Sequence, residues 1–286
     1  MEKEYEKYVL KTNKDGSKIY VRDLQLALLD ILKDIDKVCQ ENDIPYFLTG
    51  GSCLGAVRHE GFIPWDDDAD IGIMASDFPK FEEIIRKNLS NEYYVQSLLT
   101  HKEFNVLTPA IKIRRKNTYC TEPTLLKNRC KDNEGNRGDG IFIDVFVVDY
   151  VDPSLKRDLP RRILSALFCP PLVLLDNLHI DAKFLKKAFV NNAHKAGKNA
   201  KKNNSKYIGY DITWIWNLKR IMYPYDSVFP TKYVKFEDTM LPIPNNPKCL
   251  LDIEIAPSHM SYPPIKDRTP KHINDINLKS NKPSID

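Results

Sequence analysis

Between Gly50 and Met74 the chain reads GGSCLGAVRHEGFIPWDDDADIGIM. Just before it, IPYFLT (Ile44 to Thr49) has the aromatic and branched content of a short strand, so the local order is strand, glycine turn, short helix. Asp66, Asp68 and Asp70 share one parity, and where the chain is extended alternate side chains project from one face. Three carboxylates then converge. Such a concentration of like charge demands a cation, and aspartate oxygens suit a hard divalent one such as Mg2+. Gly50 and Gly51 let the backbone approach a phosphate closely, with main-chain N–H groups and the Ser52 hydroxyl as donors. A phosphate cradle beside metal-binding carboxylates points to phosphoryl or nucleotidyl transfer.

Plainer readings stand beside this one. A Gly-Gly-Ser tripeptide also makes ordinary turns. The run D-x-D-x-D resembles the start of a calcium loop, but Ile71 occupies the position that needs glycine and Asp77 the one that needs glutamate. An acidic solvated turn is the remaining alternative, although IGIM directly afterwards has the composition of a buried strand.

Outward from this stretch, Leu24, Leu28, Ile31, Ile35 and Val38 recur at helical spacing and predict an amphipathic helix over Val21 to Cys39. Strands are expected at ADIGIM (Ala69 to Met74), Tyr93 to Leu99, Leu107 to Arg115 and Ile141 to Val148. A helix over SDFPKFEEIIRKNL should start near Ser76 or Asp77. The first half is therefore α/β, a mixed sheet flanked by helices. The second half reads as mainly helical, over Ser154 to Phe168 and Ala182 to about Lys202, with little strand signal before Tyr233 to Phe236. This suggests an N-terminal extension (1–20), a catalytic core (21–152), a mainly helical part completing the substrate site (153–272) and a polar tail (273–286).

The chain has 286 residues, 42% of them hydrophobic, and a net charge of +4, which excludes wholly disordered and collagen-like chains and gives no sign of a nucleic-acid partner. The N-terminus is charged from its second residue, so no secretory signal is read and a cytoplasmic location is expected. Six scattered cysteines, without a CxxC pair, read as reduced thiols. Ile163 to Leu175 is apolar but too short to span a bilayer, and Pro170 and Pro171 interrupt it. Between Lys183 and Lys206 lie eight lysines and no acid. That segment is either a solvated helix face or, with the apolar stretch, a peripheral contact with an anionic membrane.

The stretch from Gly50 to Ile73 also resembles the LicD family, which includes bacterial phosphocholine transferases and the fukutin-related ribitol-phosphate transferases. Weaker resemblance runs through KIRRKNT (Lys112 to Thr118), GIFIDVFVVD (Gly140 to Asp149) and YPYDSVFPTKYVKFEDTMLPIP (Tyr223 to Pro244). Near the end the chain departs from the family's Tyr-Gly-Asp-x-Tyr-like segment and reads APSHMSYPP. The resemblance implies a nucleotidyltransferase-like fold and the transfer of a phospho-alcohol from a CDP-linked donor, such as CDP-choline, to a saccharide hydroxyl with release of CMP. It implies Mg2+ or Mn2+ held by Asp68 and Asp70, with Asp66 a third member and Gly51-Ser52 as the turn.

Asp144, at the end of an apolar strand pattern, is a candidate third ligand, a base for the acceptor's proton, or a mere strand-end cap. Arg58 could hold phosphate oxygens, His59 act beside it or simply pack, and Lys112 and Arg114 alternate on a strand that could face the donor phosphates or solvent. Glu237 could bind the base, a cationic head group or a helix end. A choline head group would need aromatic faces, for which Trp65, Trp214, Trp216 and Tyr223 are candidates, with ordinary core the stronger reading for Trp214 and Trp216. Two rivals to phospho-alcohol transfer are a nucleotidyltransferase that uses NTP and releases pyrophosphate, and a non-catalytic metal- or glycan-binding protein.

Overall fold

The computed structural model describes residues 7–100, 104, 110–122, 140–178, 180–213 and 220–279. In chain order the elements are β1 (Val9–Thr12), β2 (Lys18–Tyr20), α1 (Val21–Glu41), β3 (Tyr46–Leu48), α2 (Gly50–His59), β4 (Asp70–Met74), α3 (Phe78–Asn88), β5 (Tyr93–Ser97), β6 (Ile111–Arg115), β7 (Tyr119–Thr121) and β8 (Phe142–Tyr150). The second half adds α4 (Leu155–Asn177), α5 (Lys183–Lys202), β9 (Tyr207–Tyr210), β10 (Tyr223–Pro224), α6 (Tyr225–Val228), β11 (Lys232–Phe236), β12 (Thr239–Ile243), α7 (Pro247–Glu254) and β13 (Asp275–Asn277).

A seven-stranded mixed sheet organises the molecule, and β8 is its axis. On one side β8 pairs in parallel with β4, which pairs antiparallel with β3; on the other it pairs antiparallel with β6 and, further along, with β9. The nine residues of β8 make this double partnership possible, because β6 takes Phe142 to Val145 and β9 takes Val148 to Tyr150. Leu24, Leu28, Ile31, Leu32 and Ile35 of α1 are buried in one core with Ile71 and Ile73 of β4 and Ile143 and Val145 of β8. The periodicity that predicts α1 is thus the face it buries.

Three local expectations give way to tertiary packing. Helix α4 does not stop at Phe168 but runs to Asn177 through Pro160, Pro170 and Pro171. Leu172 packs with Cys169 and Phe189, and the buried Asp176 faces Lys186 of α5, so long-range contacts hold the last turns against the lost N–H donors. Lys186 is therefore no part of an exposed basic face: it is 1% exposed, 3.3 Å from Asp176 and donates to the Phe104 carbonyl. Strand structure also continues where little was expected. Residues 9–20 form a hairpin, β9 and β10 extend the main sheet, and β13, inside the expected polar tail, pairs with β7. Trp214 and Trp216 lie outside the described residues.

Candidate metal and phosphate site

Where β3 ends, the chain turns through Gly50, whose φ of +53° is a left-handed conformation that glycine adopts without strain. The turn is tied to β4 from both ends. Thr49 N–H donates to the Asp70 carbonyl at 3.2 Å, and Asp70 N–H donates to Ser52 Oγ at 2.9 Å. A Cβ at Gly51 would lie 2.7 Å from Asp66 Oδ2, and one at Gly50 would lie 3.4 Å from Asp70 Oδ2. The glycines thus bring the backbone close to the carboxylates themselves. Gly50 N–H donates to Glu254 Oε2 at 3.2 Å, so this amide is held from the side of α7.

The sheet register supplies the rest. Asp70 on β4 stands opposite Asp144 on β8, which stands opposite Lys112 on β6, so the three lie in one row across three strands. Lys112 is 1% exposed. Its Nζ is 2.9 Å from Asp144 Oδ1, 2.8 Å from Glu122 Oε1 and 3.4 Å from the centre of the Phe142 ring. Arg114 donates to Gln96, the Gly140 carbonyl and Glu122. The two cations expected on one strand face do share it, and both are engaged with acidic and polar groups inside the fold.

Burial, and then the neighbouring Asp68 carboxylate, push Asp66 and Asp70 well above the usual carboxylate range. Asp68 is also raised, first by burial and then by Asp67, and hydrogen-bonds with Asp66. Burial lifts Asp144 to about 6 even with Lys112 beside it. Asp66, Asp68 and Asp70 are half-buried and Asp144 is buried, and their carboxylates, which resist ionising together, offer hard oxygens of the kind a divalent cation such as Mg2+ takes. A second grouping, Asp66, Asp67 and His272, has ligand-type atoms within 4.8 Å of one another. It suits a cation less well. The Asp67 oxygens already accept from the main-chain N–H groups of Lys271, His272 and Ile273, and His272, raised to about 9 because Asp67 and Asp68 outweigh burial, is protonated at neutral pH.

The other predicted residues are dispersed around this centre. Arg58 donates to the carbonyls of His259 and Ser261 and lies over the Tyr262 ring. His59 packs edge-on to Trp65 and Tyr262. Trp65 is buried against Tyr8 and Tyr262, with the Arg268 guanidinium 5.4 Å from its ring centre. Tyr223 is buried beside Glu254. Glu237 forms a two-point ion pair with Arg22 at the start of α1, at 2.8 and 2.6 Å, and accepts from Phe62 N–H.

Asp67, Glu122, Glu254 and His272 also stand around this centre, and no sequence pattern points to them. Asp67 lies within the DDD run but has the opposite parity to the three singled out, and His272 reaches it from 205 residues away, a proximity no local pattern encodes. Burial raises Glu254 to about 7 from an ordinary 4.5, only partly offset by Gly50 N–H and the hydroxyls of Tyr210, Thr49 and Tyr223. The folded state therefore takes up a proton between those values, and stability falls as pH rises through that window. Glu254→Gln should flatten the dependence of the thermal midpoint on pH between about 5 and 7. Parallel profiles for variant and wild type would show that Glu254 titrates normally.

Gly55 shows how tightly α2 is seated: a Cβ there would lie 2.5 Å from the Gly61 carbonyl and 3.3 Å from Ile63 N. Both are backbone atoms on the approach to Asp66. Gly55→Ala should cost about 1–3 kcal/mol by overpacking, beyond the ~1 kcal/mol that alanine gains in a helix. An unchanged urea midpoint would refute the close approach.

Residues 43–149, which hold the glycine turn, the aspartate run, Lys112 and Asp144, match the model of the LicD/FKTN/FKRP nucleotidyltransferase domain. Over those residues, somewhat more than a third of its length, the chain is similar to a LicD-type nucleotidyltransferase domain. It is 28% identical over 147 residues to the lipopolysaccharide cholinephosphotransferase LicD of Haemophilus influenzae, a match spanning 51% of each chain. It is 40% identical over 58 residues to the human ribitol 5-phosphate transferase FKRP, covering 20% of this chain and 12% of that protein. An uncharacterised Rickettsia typhi protein is 47% identical over 60 residues, covering 21% of this chain and 19% of that one. The chain therefore spans about half the length of the Haemophilus protein and less of the other two.

Proposed function

We propose that this chain transfers phosphocholine or a related phospho-alcohol from a CDP-activated donor to a hydroxyl of a cell-surface glycan or its lipid-linked precursor, with a divalent cation. The observation that carries this reading is the convergence of Asp66, Asp68, Asp70 and Asp144 beside the Gly50-Gly51 turn in a LicD-type domain. Asp66, Asp68 and Asp70 would hold the ion, which when bound would supply positive charge to neutralise the donor's diphosphate and the departing phosphate. Ser52 fixes the main chain of Asp70, and Lys112 fixes the carboxylate of Asp144. In the transfer, the acceptor oxygen forms a bond to the phosphorus that carries the alcohol, the bond to the bridging oxygen breaks, and CMP leaves with that electron pair. The acceptor's proton passes to Asp144.

The test is a screen of CDP-choline, CDP-ribitol, CDP-glycerol and CDP-ethanolamine for nucleotide release with Mg2+ and with chelator. One donor should yield CMP only when metal is present. Pyrophosphate release from NTP instead, or no turnover of any donor despite a bound ion, would contradict the proposal.

A further inference from the structure

Helix α4 presents an apolar surface that the catalytic account leaves unused. Leu155, Leu159, Ile163, Leu167, Leu174 and Leu178 are all exposed and recur at four- and seven-residue steps along one side of the helix. Leu167 is 65% exposed and Leu174 and Leu178 are each 58% exposed. The opposite side of α4, with Asp158, Ser165, Cys169, Leu172 and Asp176, is buried. From Leu159 to Leu178 the exposed positions of α4 carry no charge. Phe184, at the start of α5, is 86% exposed. A continuous face of this kind on a helix of 23 residues is more than scattered surface leucines.

The charge around this face identifies what covers it. Between Pro153 and Lys206 the chain has three acids; Asp158 and Asp176 are buried, paired with Arg162 and Arg220 and with Lys186, which leaves Asp181 as the exposed one. Over the same span Lys156, Lys183, Lys187, Lys195, Lys198, Lys201, Lys202 and Lys206 are exposed. Lys156 stands at the start of α4, and Lys183 and Lys187 follow its end. A second copy of the chain docking through the same face would bring lysines against lysines, whether the two helices ran parallel or antiparallel. A surface with an apolar interior and anionic head groups satisfies both features at once.

We propose that the exposed face of α4, with Phe184 and the flanking lysines, is a docking surface for an anionic lipid bilayer. Leu159, Ile163, Leu167 and Leu174 enter the acyl boundary, and the lysines lie among the head groups. Binding is peripheral, since none of the helices among the described residues is long and apolar enough to cross a membrane. The inference is independent of the donor and of the carboxylate site.

Co-sedimentation of the full chain with vesicles of phosphatidylcholine, alone or mixed with phosphatidylglycerol, tests it. Wild type should bind the anionic vesicles at least tenfold more strongly than the neutral ones, and the difference should shrink as salt rises. Ile163→Gln/Leu167→Gln/Leu174→Gln should lose at least tenfold in binding while keeping its thermal midpoint, because these side chains are exposed. Lys183→Gln/Lys187→Gln should weaken binding to anionic vesicles alone, which keeps the test informative if the triple variant misfolds. Failure of wild type to bind either vesicle, or equal binding by folded variants, would overturn the proposal. So would a wild-type dimer that the triple variant converts to a monomer.

Discussion

Replacing Asp70 by Asn should reduce metal-dependent turnover by on the order of a thousandfold while leaving the fold intact. The substitution preserves size and the Asp70 N–H bond to Ser52, which is a main-chain contact. It removes a charge from a cluster in which Asp66, Asp68 and Asp144 already repel Asp70. Without an ion, that removal relieves the fold, so the thermal midpoint of the metal-free protein should stay level or rise. With Mg2+ present, the variant should gain less stability than wild type, because only a bound ion rewards the missing carboxylate. Circular dichroism and a CMP-release assay on the same preparation separate the two effects. A folded variant with near-normal turnover would remove Asp70 from the site.

Lys112→Met should produce the largest loss of stability. The Lys112 side chain is 2% exposed and is shared by Asp144 and Glu122, whose side chains are 12% and 24% exposed. Burial would lower the lysine's proton affinity, yet these two carboxylates outweigh it and hold the ammonium charged. Methionine fills most of the volume but leaves both acids without their shared cation, and breaking a buried pair from one side costs about 3–5 kcal/mol. For a chain of this size that corresponds to a fall in thermal midpoint of roughly 6–20 °C. Adding Glu122→Gln to the same chain should recover part of the loss, since one of the two stranded charges is then gone. If Lys112→Met melts within a degree or two of wild type, the ammonium is not what holds β6 against β8 at this row.

What could be read locally and what could not divide along physical lines. The parity of Asp66, Asp68 and Asp70 is a property of neighbouring residues, and so is the strand–turn–helix order that brings Gly50 and Gly51 up to them. Asp144 was legible as the end of an apolar strand, but its place opposite both Asp70 and Lys112 depends on β8 pairing on two sides, a relation across 32 residues or more. Glu122 and Glu254 carried no local signal; their surroundings come from β6 in one case and from the turn after β3 in the other. The proline pair at 170 and 171 misled for the converse reason. A proline's helix penalty, about 3 kcal/mol, is a local term, whereas Leu172 and Asp176 bind the last turns of α4 to α5 through buried contacts. Lys186 shows the same limit, because a lysine among lysines reads as surface until its partner, Asp176, is placed beside it.

The central claim is that the aspartates beside the glycine turn bind a divalent ion, and Mn2+ binding followed by electron paramagnetic resonance tests it without any knowledge of the donor. Wild-type protein titrated with Mn2+ should deplete the free-ion signal with one site per chain, Mg2+ should compete for it, and Asp68→Asn and Asp70→Asn should each weaken that site at least tenfold. Equal Mn2+ binding by wild type and by both folded variants would contradict the account.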